Sequence, residues 1–153
     1  MAEDNKKRVV VRNRGVFHEY SITEIYNAGI VLKGSEVKSL RQSRASLKDS
    51  YCKIEGGEIF IYNLYISPYE QSKAFTPNPK RKRKLLLHKQ EINRLIGRTT
   101  QRGLALVPVE IYFEKSQYAK VAVGVAKKKK SYDKREAIKL RDIEREIRGV
   151  RGV

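Results

Sequence analysis

In the segment SYCKIEGGEIFIYNLYI, residues 50 to 66, two runs rich in β-branched and aromatic residues meet at Gly56-Gly57. A glycine pair accepts the positive backbone angles of a tight hairpin, so the segment reads as two adjacent antiparallel strands. Along the second run Ile59, Ile61 and Asn63 alternate with Phe60, Tyr62 and Leu64. Both faces are therefore largely covered, as in the wall of a barrel or sandwich.

The flanking chain follows suit. RVVVRN and FHEYSITEIYNAGIVL, with Phe17, Tyr20, Ile22, Ile25, Ile30 and Leu32 among polar residues, predict one or two strands, and Gly29 allows a bend. KGSEVKSLRQSRASL predicts a short helix with Ser35 as N-cap and Val37, Leu40 and Leu47 on one side. SPYEQSKAFTPNPKRKRK joins turn residues and two close prolines to five cations, Lys80 to Lys84, and predicts an exposed loop. In LLLHKQEINRLIGRTTQRG, Leu85, Ile92, Leu95 and Ile96 stand at helical spacing and Gly103 is placed to end the helix. LALVPVEIYFEKSQYAKVAVGVA predicts two strands turning at Glu114 to Gln117, with Pro108 at an edge or a bulge. Five to seven short strands with two helices point to a mainly β fold, a closed or partly closed antiparallel barrel with flanking helices. No βαβ alternation or internal repeat is evident.

Charge narrows the function. The 153 residues carry 34 Lys+Arg against 17 Asp+Glu, a formal +17, which self-repels in a compact state unless a polyanion neutralises it. Residues 1 to 75 hold 12 cations and 9 acids, residues 76 to 153 hold 22 and 8, so the second half is the electrostatic footprint. Nucleic acid is the expected partner. No apolar run approaches the roughly 18 residues that span a bilayer, and neither end shows a signal or lipidation motif, so a cytoplasmic protein without a membrane partner is expected. Cys52 is a lone thiol, expected to be buried. One Cys with His18 and His88 makes neither a metal site nor a nucleophile pair, and no cofactor or catalytic residue is expected.

The domain expectation is a flexible segment at 1–8, a barrel at 9–130 and a basic appendage at 131–153. After Ala126 the chain reads KKKKSYDKREAIKLRDIEREIRGVRGV. Asp133 and Glu136 form a capping-box pair for a helix from about 134 to 148, stopped by Gly149. On a helical projection Lys134, Arg141, Arg145 and Arg148 share a stripe opposite Leu140, Ile143 and Ile147. Three aliphatics do not offset the ordering of such a helix at about 1–2 kcal/mol per residue, so a partly disordered tail that folds on binding is expected. A plain solvated tail, or a helix packed on its own domain, is the competing reading. Tyr132 beside the lysines is the aromatic best placed to stack on a base.

Four segments, NAGIVLKGSEVKSLR (27 to 41), DSYCKIEGGEIFIYNLYI (49 to 66), KRKLLLHKQEI (82 to 92) and VAKKKKSYDKRE (125 to 136), closely resemble the SsrA-binding protein family, small protein B, the partner of transfer-messenger RNA. The resemblance implies a monomeric barrel related to the OB fold. It also implies a non-catalytic role: binding the tRNA-like domain of transfer-messenger RNA and delivering it to stalled ribosomes for peptide tagging and ribosome rescue. RNA contacts carry over onto Asn13, Glu36, Lys38, Ser39, Arg41, Lys84, Leu86 and Lys120, with Lys127 and Lys129 nearby. The tail's role at the decoding site and in the message channel carries over onto Tyr132, Asp133, Lys134, Arg135 and the helix bearing Arg141, Arg145 and Arg148. Lys128 stands where the family usually has Gly, and TPNP keeps only the proline of a frequent His-Asp-Pro loop. From the residues alone, Glu36 reads either as a surface acid favoured by the helix dipole or as a carboxylate that accepts from a base edge or orients a neighbouring cation against RNA. Asn13 reads as a turn residue or a contact, and Leu86 by pattern as core. A general structured-RNA-binding or ribosomal protein is the alternative function.

Overall fold

The computed structural model describes residues 7–69, 77–115 and 117–130, the side chains of residues 101 and 102 excepted. In order these form β1 (Lys7–Arg12), α1 (Val16–Glu19), β2 (Tyr20–Ile30), α2 (Gly34–Arg41), β3 (Ala45–Ser46), β4 (Tyr51–Glu55), β5 (Glu58–Tyr62), β6 (Tyr65–Ile66), β7 (Arg83–Leu86), α3 (Lys89–Arg102), β8 (Ala105–Glu114) and β9 (Tyr118–Lys128). The fold is mainly β, and its ladders are antiparallel. Hydrogen bonding runs β8-β4-β5-β7-β2-β9 and returns from β9 to β8, while β1 adds to the other side of β8 and β3 pairs with β6. Six strands thus form a cycle of pairings, which leaves no unpaired edge among them. Its narrowest join is between β4 and β8, through the pair Cys52↔Leu106.

The hairpin forms as the glycines require. Gly56 and Gly57 have φ of 58° and 78°, and β4 pairs with β5 from Tyr51↔Tyr62 to Glu55↔Glu58. Ile59 and Ile61 point into the core with Leu85, Leu95, Ile111, Val121 and Val123, all buried. Cys52 is buried there too, and burial pushes its thiol far above the ordinary range. A second cluster, Val16, Val107, Val109, Tyr112, Ala122 and Ala126, lies on the opposite side of β8 and β9. This double burial explains the nearly unbroken apolar runs of those two strands. Pro108 is interior to β8 rather than at an edge, and it sits at a register shift between Pro108 and Glu110, the bulge that tolerates it.

Several expectations need correction. The chain from Val16 to Glu19 is a helical turn, and β1 starts at Lys7, where Lys7↔Glu114 and Arg8↔Phe113 already pair. The N-cap of α2 is Lys33, not Ser35, because the Glu36 carboxylate reaches back to accept from the Lys33 N–H at 2.9 Å. Leu47 is buried but lies beyond α2. Leu85 belongs to β7, not to the helix after it. In β7 the two-residue period holds, Arg83 and Leu85 inward, Lys84 and Leu86 outward, and α3 begins only after His88, whose N–H donates to Glu91 at 3.1 Å. Gly103, at φ 62°, ends α3 as expected.

The largest correction concerns the run of five cations. Lys80 and Lys82 are exposed outside any strand, as expected, but Arg83 and Lys84 belong to β7, and Arg83 is fully buried beside the buried Glu36. Arg83 Nε donates to Glu36 Oε2 at 2.7 Å and Nη2 lies 2.6 Å from the same oxygen. Nη1 donates to the carbonyls of Leu64 and Arg81, and Nη2 to that of Pro79. From outside, Arg81 brackets the carboxylate, Nη2 to Oε1 at 2.6 Å and Nε to Oε2 at 3.2 Å. The pair therefore ties α2, the start of β7 and the segments at Leu64 and Pro79 into one unit. Burial alone would raise the Glu36 carboxyl, but the Arg81 hydrogen bonds, the Lys33 N–H and the Arg83 charge outweigh it and hold the group below its ordinary value.

Removing one partner leaves an uncompensated buried charge, so Arg83→Ala or Glu36→Ala is expected to cost about 3–5 kcal/mol in urea unfolding. Because the folded Glu36 titrates below the ordinary 4.5, its contribution is complete above about pH 4.5 and is lost as pH falls through the folded value. Acid unfolding of Glu36→Gln should lack that component, and an unchanged profile would remove Glu36 from the stability balance.

Candidate nucleic-acid interface

The outer surface of the sheet follows from strand register. Lys84 and Leu86 leave the outer side of β7, and Leu86 is 51% exposed despite its apolar neighbours. Its partner across the ladder is Gly29 on β2, and the partner of Gly29 on β9 is Lys120. Lys120 is in turn opposite Tyr112 on β8, and the Lys7 ammonium stands 4.6 Å from the centre of the Tyr112 ring. A row Leu86–Gly29–Lys120–Tyr112 thus crosses four strands, and Lys84 lies beside it opposite Phe60 on β5. Gly29 gives the row a shallow centre. A Cβ there would meet the Leu86 side chain at 3.4 Å. Two residues along β2 on the same side, Asn27 is exposed. Sequence reasoning missed Asn27 as a member of this face, although two-residue alternation from Gly29 was the signal that could have found it.

Cations on this surface carry carboxylate partners at exposed positions. Lys84 lies 3.2 Å from Glu58 and Lys120 2.8 Å from Glu114. The hydrogen bond to Glu114 raises the Lys120 ammonium and lowers Glu114. Lys82 lies 3.6 Å from Glu55 and 4.4 Å from the centre of the Phe60 ring, and Tyr62, bonded to Glu55, has its phenol pushed up to about 12. Exposed pairs of this kind contribute only about 0–1 kcal/mol, so a phosphate can replace the carboxylate at little cost.

The remaining site residues divide. Lys38 is exposed, 5.4 Å over the Tyr69 ring, and Arg41 places its guanidinium 4.7 Å over Phe113. Glu36 and Ser39 do not reach the surface, being 2% and 0% exposed. Their α2 positions face the core, and the Glu36 carboxylate is taken up by Arg81 and Arg83. Asn13 anchors the chain, its Nδ2 donating to the Pro108 carbonyl at 2.8 Å and its backbone N–H to Val109 at 2.9 Å. Lys127 is exposed at the end of β9. Lys129 fastens the same end to α1, Nζ to the Phe17 carbonyl at 2.8 Å and N–H to the Glu19 carbonyl at 3.0 Å. The register therefore brings together Lys84, Leu86 and Lys120, while Asn13 follows β1 and Lys38, Ser39 and Arg41 lie on α2. Tyr132, Asp133, Lys134, Arg135, Arg141, Arg145 and Arg148, with the expected helix over 134–148, lie outside the described residues. Among the described residues no helix is long and apolar enough to cross a membrane.

The family model described as SmpB protein matches residues 10–151. The SsrA-binding protein of Carboxydothermus hydrogenoformans is 54% identical over 141 residues, 92% of this chain and 94% of that protein. That of Desulforudis audaxviator is 53% identical over 153 residues, 99% of each. A solved structure described as "tmRNA-SmpB: a journey to the center of the bacterial ribosome" is 46% identical, with a TM-score of 0.64, and covers 88% of this chain and 94% of its own.

Since Lys84 and Lys120 are tied only to exposed carboxylates, Lys84→Ala and Lys120→Ala should leave thermal stability within about 0.5 kcal/mol. Each should lower the salt dependence of RNA binding by about one counterion. An unchanged slope in a salt titration would take that residue out of the interface.

Proposed function

The chain belongs to the SmpB family, and on that premise we propose that it binds the tRNA-like domain of transfer-messenger RNA and delivers it to stalled bacterial ribosomes for trans-translation. The observation that carries this reading is identity above one half, over more than nine-tenths of the chain, to SsrA-binding proteins. The protein works as a cytoplasmic adaptor without chemistry of its own, and the recipient of its charge is RNA on both sides, the cargo and the ribosome.

The physical mechanism is recognition of a folded RNA by shape. The row of Lys84, Leu86, the Gly29 gap and Lys120 lies on paired strands, so its groups are held in place before RNA arrives and lose little freedom on binding. Lysines meet phosphates, and Leu86 with the Gly29 gap accepts the flat or sugar surface of an unpaired loop, the part of a tRNA-like fold that proteins read. Arg41 and Lys38 extend the cationic surface along α2, which Glu36 and Arg83 lock to the barrel. The division into a binding domain at 9–130 and a tail at 131–153 assigns cargo to the first and the vacant message channel to the second. Tyr132, Asp133, Lys134 and Arg135 would enter that channel, followed by the helix bearing Arg141, Arg145 and Arg148, whose order is compensated by ribosomal phosphates.

A fluorescence titration at physiological salt tests the cargo assignment. A transfer-messenger RNA fragment is expected to bind more than about tenfold, or about 1.4 kcal/mol, more tightly than an unrelated structured RNA of equal length. Equal affinities would favour a general structured-RNA-binding protein. Deletion from Ser131 should leave that affinity nearly intact while abolishing peptide tagging on stalled ribosomes, and parallel loss of both would refute the division of labour.

A further inference from the structure

Tyr118 opens β9, two residues before Lys120, and is 60% exposed. Its direction follows from alternation. Ala119 packs against the core, so Tyr118 and Lys120 both point to the outer side, about 7 Å apart along the strand at about 3.4 Å per residue. Across the ladder Tyr118 is opposite Glu114 on β8, and Glu114 is opposite Lys7 on β1. The turn before it is tight, with Lys115 at φ 53° and the Gln117 N–H donating to the Glu114 carbonyl at 3.1 Å. The ring is therefore mounted on a paired strand, with Lys120 beside it and the exposed Lys115 in the turn that precedes it.

Other aromatics of this surface are already engaged. The centre of the Tyr112 ring lies 4.6 Å from the Lys7 ammonium, and that of Phe60 lies 4.4 Å from Lys82. Tyr62 is stacked on Tyr51 with centroids 5.2 Å apart. Tyr118 has no ring or cation partner among the described residues. A single exposed ring is common on protein surfaces. What sets this one apart is its continuity with the row of Leu86, Gly29, Lys120 and Tyr112. An unpaired base in an RNA loop offers the complement, a flat face for the ring and a neighbouring phosphate for the lysine. A base within a duplex is stacked on both sides and has no free face to give.

We propose that Tyr118 is a specificity residue of the cargo surface, a platform on which one unpaired loop base of the folded RNA stacks next to the phosphate taken by Lys120. The assignment rests on the cargo reading and deepens it. Lysines hold phosphate in any RNA, whereas the ring contributes only where a loop presents an unstacked base. Tyr118 therefore separates a looped RNA from a duplex of the same charge.

The test uses the full chain, its variants Tyr118→Ala, Tyr118→Leu and Tyr118→Phe, and two probes, the transfer-messenger RNA fragment and a fully paired RNA duplex of equal length. Tyr118→Ala should weaken fragment binding about tenfold, within the range for loss of one stacked base. Its salt slope should stay at the parent value, because no phosphate contact is lost, in contrast to Lys120→Ala. Tyr118→Leu keeps apolar bulk without a flat face and should bind as Tyr118→Ala does, while Tyr118→Phe should bind as the parent does. Duplex affinity should be the same for all four proteins. The proposal is overturned if Tyr118→Ala binds the fragment as the parent does, if Tyr118→Leu matches the parent, or if fragment and duplex binding fall together. The cargo reading is judged on the parent protein alone, by its preference for the fragment over an unrelated structured RNA, so the two fail separately.

Discussion

The ion pair of Glu36 and Arg83 holds the functional surface to the fold. A carboxylate 2% exposed and a fully buried guanidinium are costly to remove from water, and the cost is offset only because each nitrogen of Arg83 has a carboxylate or carbonyl oxygen within 3.2 Å. Those oxygens come from α2, from Leu64 after the hairpin, and from Pro79 and Arg81 ahead of β7. One buried contact thus sets the position of α2, which carries Lys38 and Arg41, relative to β7, which carries Lys84 and Leu86. A hydrophobic substitute would keep the volume but not this directional definition, because apolar contacts do not fix the angle at which segments meet.

The excess of cations is not one undifferentiated field. Arg83 is structural and wholly internal. Lys84 and Lys120 are surface groups kept in loose partnership with Glu58 and Glu114, so their charge is muted until a stronger anion arrives. Arg12, Arg14, Lys48 and Lys128 have no ion-pair partner among the described residues and line a recess together with Glu19 and Asp49.

Much of the fold was legible in short-range chemistry. Gly56-Gly57, the alternation through Ile59 and Ile61, and the left-handed stop at Gly103 all act within a few residues, and each appears where pattern places it. The failures share a cause. Arg83 and Leu85 sit between a cation run and a helix, and their inward side is set by pairing with Ile61 and Ile59 on β5, a contact with residues more than twenty positions earlier. Neighbouring charge gave Arg83 the appearance of a solvated residue, and neighbouring aliphatic spacing gave Leu85 that of a helical one. Glu36 was legible as a first-turn acid but not as a buried one, since its partner is 47 residues away. Of the candidate site, resemblance supplied Leu86 and Lys120, and only register could show that Gly29 stands between them; from there two-residue alternation puts Asn27 on the same face.

The cycle of strands is closed most thinly where β4 meets β8, at Cys52 opposite Leu106. Burial there pushes the thiol so far up that it is inert while the wall is shut. Any parting of that seam would hydrate the sulfur and return its ordinary acidity, so the sole cysteine of the chain is a built-in sentinel whose rate of labelling would report how often the wall opens.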